Sequence, residues 1–544
     1  MFRIRGLAGL AAGPPQPRPD VPAMNDLSAL VLILPPLALL TIGLVPGRPG
    51  RGRPEAVAAL VAGLAGSMTA AAALVAVGVG LGAASWRPLP EAAWASLRWD
   101  GAACLMLGLV GLVGWVVARY ARRTVAGDAT ADLFQRRIAL TLGAVGVFVL
   151  AGNLGMMLAA WSLASVGLRG LLLHESDRPG ARRGAGWMAL VSRVGDIALV
   201  IAAVLVLRRH GTLDLTAIHD LAAAAGSDTP ATNDVRGIAW LLVIGCGIKT
   251  ALVPFHFWLP ETLEAPTPVS ALMHAGVVNA GGYALIRTAP LVSPDPSALA
   301  GLVAVGGLTA CLGGLMMAAQ ANVKRQLAFS TIAQMGLMML QCGLGGFAAA
   351  MLHILAHSGY KAHAFLTHGE ALERLQAQRL PQLATVAAAG PFAGGLRLLA
   401  AGCIASVALV IGLTLVGVSP AAKPGGWVLA AVLALGLARW LDEAFARATG
   451  PGSLAAVGLT LALGLAYAAA YRLVDLAIGP VAAVASGPAP LIAAGVVAVL
   501  GVVLLAERGL LPRAGRWGEA VRIHATNGFY VEALARRLAR NASG

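Results

Sequence analysis

The sequence contains few charged residues: 12% of its 544 residues are Asp, Glu, Lys or Arg, whereas 58% are hydrophobic. Aromatic residues are also scarce, at 5%, and the five cysteines show no CxxC spacing. So little charge excludes an ordinary soluble protein. The cysteine spacing argues against an iron–sulfur or zinc site. The composition predicts a polytopic membrane protein.

Long apolar runs recur along nearly the whole chain. A hydrocarbon core of about 30 Å needs about 20 mostly apolar residues per helix. We therefore expect an all-α polytopic membrane protein with about 13–16 transmembrane helices. The predicted spans are 28–46, 56–84, 102–120, 136–151, 153–174, 186–207, 237–258, 269–290, 298–320, 326–345, 346–370, 395–418, 426–446, 453–472 and 488–506.

The formal charge of +15 raises the question of nucleic-acid binding. The arginines, however, cluster in short loops such as Arg119 to Arg123, Arg178 to Arg183 and Arg208 to Arg209. Basic loops of this length are typical of the cytoplasmic face of a membrane protein. We therefore predict lipid contact and no nucleic-acid partner, in a bacterial cytoplasmic (inner) membrane.

Lysine is rarer still, since only four of the 40 basic residues are lysines. Two of them, Lys249 and Lys361, lie inside apolar segments. Arginine keeps its proton in a protein, whereas a buried lysine can be neutral. These positions therefore indicate a releasable proton. The alternative is a lysine that reaches the membrane surface from a helix end.

The segment from Lys249 to His274 holds the densest group of polar residues. Lys249 and His256 are seven residues apart, so on one helix they would share a face. Pro254 lies between them and predicts a helix break, of the kind that lines cavities in membrane proteins. We expect Lys249 and both histidines to form a proton relay. For either histidine taken alone, a hydrogen-bonded core residue is the favoured explanation. The other prolines expected to maintain the break are Pro260, Pro266 and Pro268.

A second polar group lies on a later apolar segment. His353, His357 and Lys361 follow one another at intervals of four residues, which places them along one helix face. Three ionisable groups in an apolar helix need polar neighbours, and they could pass a proton laterally. Structural polar packing is the alternative.

The Lys249–His274 pattern K-x4-P-x-H-x-WLP-x3-E-x-PTPVSAL-x-H resembles the signature of the antiporter-like proton-translocating family. That family includes membrane subunits of respiratory complex I, of Mrp-type antiporters and of DAB-type inorganic carbon uptake complexes. Arg193–Asp196, Asn322–Gly336 and His353–Lys361 support the resemblance. It covers roughly residues 100–375 and implies two inverted five-helix repeats, each with a broken helix.

Two departures from the family pattern concern acidic and basic residues. Complex I and Mrp members carry a glutamate directly after a tryptophan, but here Ser162 follows Trp161. Asp196, with Arg193, becomes the candidate acid. In the second half, the only charge between Leu396 and Gly417 is Arg397, which cannot release a proton. A complete second proton channel is therefore not expected.

Within the family, the sequence of His357–Leu366 and that of the C-terminal segment Ile523–Val531 most resemble the corresponding segments of the DAB-type subunits. This resemblance implies a proton-conducting, non-enzymatic subunit without a cofactor of its own. Its partner would be a large peripheral carbonic-anhydrase-like subunit that binds Zn²⁺. Lys249 would carry the proton, and Asp196 and Arg193 would tune the pKa values along the relay. The other relay residues would be His256, His274, His353, His357 and Lys361. The alternatives are a subunit of an NADH-quinone oxidoreductase or Mrp-type Na⁺/H⁺ antiporter, or a non-conducting membrane anchor.

The domain boundaries follow from composition and resemblance. Residues 1–23 are expected to be disordered or to precede the natural start at Met24. The Arg-rich tail has Tyr530, Leu534 and Leu538 at helical spacing, for partner docking or membrane-surface contact. The other predicted divisions are N-terminal helices 24–135, the antiporter-like core 136–450, C-terminal helices 451–506 and the tail 507–544.

Overall fold

The computed structural model describes residues 22–46, 53–78, 84–86, 95–225, 232–377, 391–422, 425–447, 450–479, 487–507 and 515–542. These residues are overwhelmingly helical. The predicted extension 1–23 lies, apart from its last two residues, outside the described part of the chain.

The helices follow the predicted apolar runs closely. The first ten are α1 Pro22–Leu44, α2 Pro54–Gly78, α3 Gly101–Thr124, α4 Ala131–Leu150, α5 Leu154–Leu172, α6 Pro179–His210, α7 Leu215–Ala225, α8 Asn233–Lys249, α9 Thr267–Ala275 and α10 Ala280–Arg287. The others are α11 Ala289–Val292, α12 Pro296–Ala319, α13 Val323–Gly343, α14 Phe347–Ala377, α15 Pro391–Leu415, α16 Gly426–Arg447, α17 Pro451–Ile478, α18 Ala489–Glu507, α19 Gly515–Thr526 and α20 Val531–Ala542. Two short strands, β1 Ala84–Trp86 and β2 Leu97–Trp99, pair antiparallel.

The described residues contain 10 segments long and apolar enough to cross a membrane. They are α1 to α6, the α9–α10 segment, α12, α15 and α17. The five remaining predicted spans coincide with α8, α13, α14, α16 and α18, which are shorter or more polar. The predicted all-α polytopic architecture is therefore confirmed, with the small β1–β2 hairpin as an addition.

Helix α6 corrects one prediction about the basic loops. It runs without interruption from Pro179 to His210, over 32 residues. At a rise of about 1.5 Å per residue it is about 48 Å long, so Arg178–Arg183 and Arg208–Arg209 lie at opposite ends. The two groups cannot both mark the same membrane face. We call the side of Arg178–Arg183 the basic side, because the end of α3 with Arg122 and Arg123 also lies there.

On the opposite side, a buried ion pair ties α10 to α3. Nη1 of Arg287, at the end of α10, lies 2.6 Å from Oδ2 of Asp100, the residue that caps α3. Burial alone would raise the pKa of Asp100, but Arg287 and the Ala103 N–H hold this pKa below its usual value. His219 of α7 bonds to the Arg287 carbonyl at 3.2 Å. Burial lowers the pKa of His219 to about 4, so its ring is neutral near pH 7 and donates this bond.

The C-terminal tail returns to the basic side of the bundle. Gln320, after α12, donates to the Thr526 carbonyl at 3.3 Å, and Arg536 of α20 lies 3.3 Å from Glu261. Tyr530 precedes α20 in a turn where Phe529 and Tyr530 have φ of 51° and 58°. It therefore does not continue the helical spacing of Leu534, as the sequence had suggested.

Candidate functional site

Helix α8 ends at Lys249, in the interior of the bundle. The N–H of Leu252 donates to the Gly247 carbonyl at 3.0 Å, and that of Ala251 to the Ile248 carbonyl at 3.2 Å. Ala251 has φ of 61°, the left-handed conformation that ends a helix in this hydrogen-bond pattern. Lys249 and His256 therefore do not share a helix face, because the break comes five residues earlier than Pro254 suggested.

The chain after the break is held by polar contacts. The N–H of Val253, which has no helical partner after the break, donates to Thr309 Oγ1 of α12 at 3.1 Å. This backbone group is therefore hydrogen-bonded inside the bundle. Lys324 donates to the carbonyls of Leu263 and Ala265. The predicted prolines all lie in this connection: Pro254 precedes the 3-10 turn Phe255–Trp258, Pro260 begins the turn Pro260–Thr262, Pro266 precedes α9, and Pro268 is its second residue.

Lys249 forms a buried ion pair with Asp196 of α6. Its Nζ lies 2.5 Å from Asp196 Oδ1, and the lysine side chain is 2% exposed. Two hydroxyls, of Ser192 at 3.1 Å and Ser165 at 3.4 Å, accept further hydrogen bonds from the amine. The Trp161 ring lies 4.6 Å from Nζ. The amine therefore has a counter-ion and two hydroxyls that can relay a proton.

Gly195 makes this pair possible. A Cβ atom at this position would lie 2.6 Å from Cγ of Lys249, so any other residue would push the lysine away from α6. The same turn of α6 brings Arg193 to Asp196, with Nη1 and Oδ2 3.3 Å apart. One carboxylate thus contacts two basic side chains. Ser162, which stands where complex I and Mrp members have glutamate, lines the same cavity as Asp196.

The second polar group lies along α14, as its spacing predicted. His353 and His357 have ring centroids 6.0 Å apart, and His353 Nδ1 lies 3.1 Å from Gln341 Oε1 of α13. Lys361 is fully buried and donates to the Leu327 carbonyl at 2.9 Å. These three side chains form a polar stripe along one face of α14, and two of them, His353 and Lys361, contact α13.

His274 belongs to this second group. Its Nδ1 lies 3.1 Å from Thr331 Oγ1, and its ring stacks on Phe365 of α14 at 4.4 Å. The side chain of His357 bonds to the backbone of His274. Among the described contacts His274 thus joins α14 and not Lys249, which corrects the predicted relay. His256 is buried and bonds to the backbone of Pro254.

A second helix break lies between the two polar groups. The sequence predicted one helix over 269–290, but α9 ends at Ala275 and a 3-10 turn, Val277–Asn279, precedes α10. Gly276 at this break has φ of −126° and ψ of −76°, outside the helical region. The available signal was three glycines and one asparagine within Gly276–Gly282, inside an apolar span.

This turn contacts both groups. Val277 and Val278 line a small cavity with Lys249 and Trp161. Asn279 donates to Ser358 Oγ of α14 at 2.8 Å and to the Ala275 carbonyl at 3.1 Å. The Lys249–Asp196 pair and the α14 stripe are therefore the two sides of one structural unit, joined through residues 277–279.

The second half contains a charge pair that the sequence analysis missed. Arg397 Nε of α15 lies 2.6 Å from Oδ1 of Asp442, a fully buried residue of α16. Asp442 lies 45 residues from Arg397 in the chain and on another helix, so sequence spacing gives no signal for this pair. Helix α15 runs unbroken over Pro391–Leu415, although the family resemblance implied a break there.

The fold and these buried pairs define a polytopic membrane protein of the antiporter-like class. Residues 151–416 match the family described as NADH:quinone oxidoreductase/Mrp antiporter. In fold, 96% of the chain matches 59% of a chain in the structure of the Mrp complex from Dietzia sp. DQ12-45-1b, with a TM-score of 0.66 and 23% identity.

Curated relatives narrow the comparison. The chain is 36% identical over 366 residues, 67% of each protein, to a probable inorganic carbon transporter subunit DabB of Hydrogenovibrio crunogenus. It is 39% identical over 281 residues, 52% of this chain and 50% of the relative, to DabB2 of Halothiobacillus neapolitanus. It is 33% identical over 282 residues, 51% of this chain and 43% of the relative, to NADH-quinone oxidoreductase subunit L of Mycobacterium tuberculosis.

The chain belongs to the NADH:quinone oxidoreductase/Mrp antiporter family, which includes inorganic carbon transporter subunits. It spans about half to two thirds of the length of the DabB relatives named here.

Proposed function

We propose that this chain is the proton-conducting membrane subunit of an inorganic carbon uptake complex in a bacterial cytoplasmic membrane. The observation that carries the proposal is the buried Lys249–Asp196 pair at the end of a broken helix. A buried lysine with a counter-ion and hydroxyl neighbours can hold or release one proton at mid-membrane depth. The similarity to proteins named inorganic carbon transporter subunits supports this choice within the family.

The coupled reaction would take place on a peripheral partner. Hydration of CO2 yields bicarbonate and one proton, and a zinc-bound water in the partner would supply the hydroxide. Removal of the proton through this chain makes hydration directional. By the positive-inside rule, the basic side faces the cytoplasm and would carry the partner.

Within the chain, Lys249 is the carrier and Asp196, with Arg193, sets its charge environment. His274, His353, His357 and Lys361 extend the route along α14, and the turn at residues 277–279 joins the two parts. His256 has a supporting place in the loop after the break.

Substitution of Lys249 by arginine tests the carrier role. Arginine keeps the charge opposite Asp196 but does not release a proton. We expect proton-coupled carbon uptake to fall by roughly 100-fold, the scale of losing a proton-transfer group. The readout is growth at ambient CO2 of a host without carbonic anhydrase, with the membrane level of the variant as control. Normal growth of the variant would contradict the carrier role and favour a non-conducting anchor.

Purification of the tagged chain from native membranes tests the assignment within the family. One large zinc-containing protein at equal stoichiometry supports carbon uptake. The rival is a subunit of an Mrp-type antiporter or of NADH-quinone oxidoreductase, favoured by the structural match to an Mrp complex. Co-purification of several small antiporter or quinone-reductase subunits would overturn the carbon-uptake assignment.

A further inference from the structure

Arg193 lies deep in the membrane span and faces outward. Its side chain is 60% exposed. It stands ten residues after Arg183 on the continuous helix α6, about 15 Å along the axis. This distance is half of a hydrocarbon core of about 30 Å. The guanidinium is thus near mid-membrane depth on the outer surface of the bundle.

A charge in this place needs a partner beyond those in the chain. Exposing a charged arginine to hydrocarbon at mid-depth is unfavourable, and arginine cannot relieve the cost by losing its proton. Asp196 contacts Arg193, but the same carboxylate is the counter-ion of Lys249. Whenever Lys249 holds a proton, two cations share one carboxylate, and the local charge is +1.

The surface beside Arg193 is an apolar groove between α5 and α6. Its cavity has a volume of about 290 Å³ and extends from Ser162 and Asp196 toward Leu207. Ile197, Val200 and Val204 follow Arg193 along α6 and are 61%, 52% and 52% exposed. A transmembrane helix fits such a groove by apolar packing. A lipid tail would fill the groove but leave the guanidinium without an anion.

A second copy of this chain does not offer the missing carboxylate. In the described candidate spans the acidic residues other than Asp196 lie near helix ends: Asp26, Glu55, Asp132 and Asp475. Of the two acids on the more polar helix α16, Asp442 is fully buried against Arg397, and Glu443 lies 3.1 Å from Arg439 near the end of the helix. The complementary acid must therefore come from a different polypeptide.

We propose that the α5–α6 groove docks a transmembrane helix of a different chain, apolar along its contact face and with one carboxylate at mid-depth that pairs with Arg193. This inference does not depend on the proposed function, whose expected partner is peripheral. The docked helix supplies the second anion next to the Lys249–Asp196 pair, so it completes the charge balance when Lys249 is protonated.

Photocrosslinking in native membranes tests the surface. A photoreactive amino acid replaces Val200 or Val204 of α6, and the control probe replaces Leu308 of α12, whose exposure is 50% against 52% for both valines. We expect a discrete adduct at α6, identified by mass spectrometry as a segment of another membrane protein with a mid-span Asp or Glu. The Leu308 probe is expected to yield lipid adducts. Lipid alone at α6, an adduct with a second copy, or a partner segment without an acid overturns the proposal.

Two substitutions of Arg193 test the charge pairing. In the Val204 probe background, Arg193→Met is expected to lower adduct yield roughly tenfold, equivalent to about 1.4 kcal/mol, whereas Arg193→Lys keeps most of it. Unchanged elution in size-exclusion chromatography shows that each variant folds. If Arg193→Met misfolds, a charge exchange is used instead: Arg193→Glu in this chain is combined with a lysine in place of the partner's acid. We expect the exchanged pair to give the adduct again. Equal yields from the methionine and lysine variants, or no recovery in the exchanged pair, contradict the pairing. Neither result bears on carbon uptake, which Lys249→Arg tests separately.

Discussion

At the scale of single residues, the position of the carboxylate beside Lys249 is the main chemical feature. In complex I and Mrp members, the acid of the family pattern is a glutamate directly after a tryptophan, at the position of Ser162 on α5. Here Ser162 occupies that place on α5, and Asp196 on α6 contacts the amine. Ser162 and Asp196 line one cavity, and Asp196 also contacts Lys249.

We predict that the acid can be moved between these helices. Asp196→Asn leaves a buried lysine without its counter-ion, a change that costs about 3–5 kcal/mol for a buried pair, and proton flux should fall by roughly tenfold or more. Adding Ser162→Glu restores a carboxylate and should recover flux to within about threefold of the original. Proton uptake into vesicles measures both variants, and Ser162→Gln in the same background is the uncharged control. Equal flux with Gln and Glu would show that Asp196 acts through shape and not charge.

The sequence predicted some of these residues and not their grouping. The scarcity of lysine singled out Lys249 and Lys361, which are both buried, and the missing glutamate pointed to Asp196, which contacts Lys249 and is 14% exposed. His274 was assigned to the wrong group, because its contacts with Thr331 and Phe365 join segments 57 and 91 residues apart in the chain. Spacing predicts contacts within one helix but not such tertiary contacts.

At the scale of helices, α14 offers a test with a control on the same helix. His357 lies on the buried stripe, whereas His363 is exposed and off the stripe. We predict that His357→Ala lowers proton flux by roughly tenfold or more, because a transfer group is lost, and that His363→Ala leaves it unchanged. Flux is measured in vesicles at equal protein content. Normal proton flux in the His357→Ala variant would show that His357 is a structural residue and not a proton-transfer group.

The break at Gly276 depends on the absence of a side chain. A Cβ atom there would lie 2.7 Å from the Leu272 carbonyl oxygen, whereas one at Gly186 of α6 meets nothing within 4 Å. Gly276→Ala should therefore shift residues 277–279 at a cost of about 1–3 kcal/mol and lower proton flux. Gly186→Ala should change stability by no more than about 0.5 kcal/mol. Melting temperature in detergent and vesicle flux are the measurements, and wild-type values for Gly276→Ala would contradict the positional role of the turn.

Helix existence was predictable because twenty-residue apolar runs have few alternatives in a membrane. The breaks were harder to place. The proline at position 254 suggested where α8 is interrupted, yet the helix ends at Lys249 through hydrogen bonds around Ala251. Gly276 ends α9 without any proline. Local backbone bonds and packing, which composition does not encode directly, decide both positions.

At the scale of the whole molecule, the two halves differ in their polar interior. The first half has two helix breaks and the buried lysine Lys249, whereas the second half has the unbroken helix α15. Its buried pair, Arg397 with Asp442, contains an arginine that holds its proton. This asymmetry supports the proposal of a single proton route, which would run from Lys249 to the α14 stripe.

If the second half is structural, its ion pair can be replaced by apolar residues of similar size. Asp442→Asn alone leaves Arg397 without its counter-ion and should destabilise the protein by about 3–5 kcal/mol, whereas a well-packed apolar replacement of a buried pair is often neutral or stabilising. We therefore predict that Arg397→Met with Asp442→Leu restores the melting temperature and preserves proton flux. This double variant keeps the packing and removes both charges. It therefore distinguishes an effect of the charges on proton flux from an effect on stability. Normal melting with lost flux would place Arg397 and Asp442 on a second proton route, and the single-route description of the molecule would be wrong.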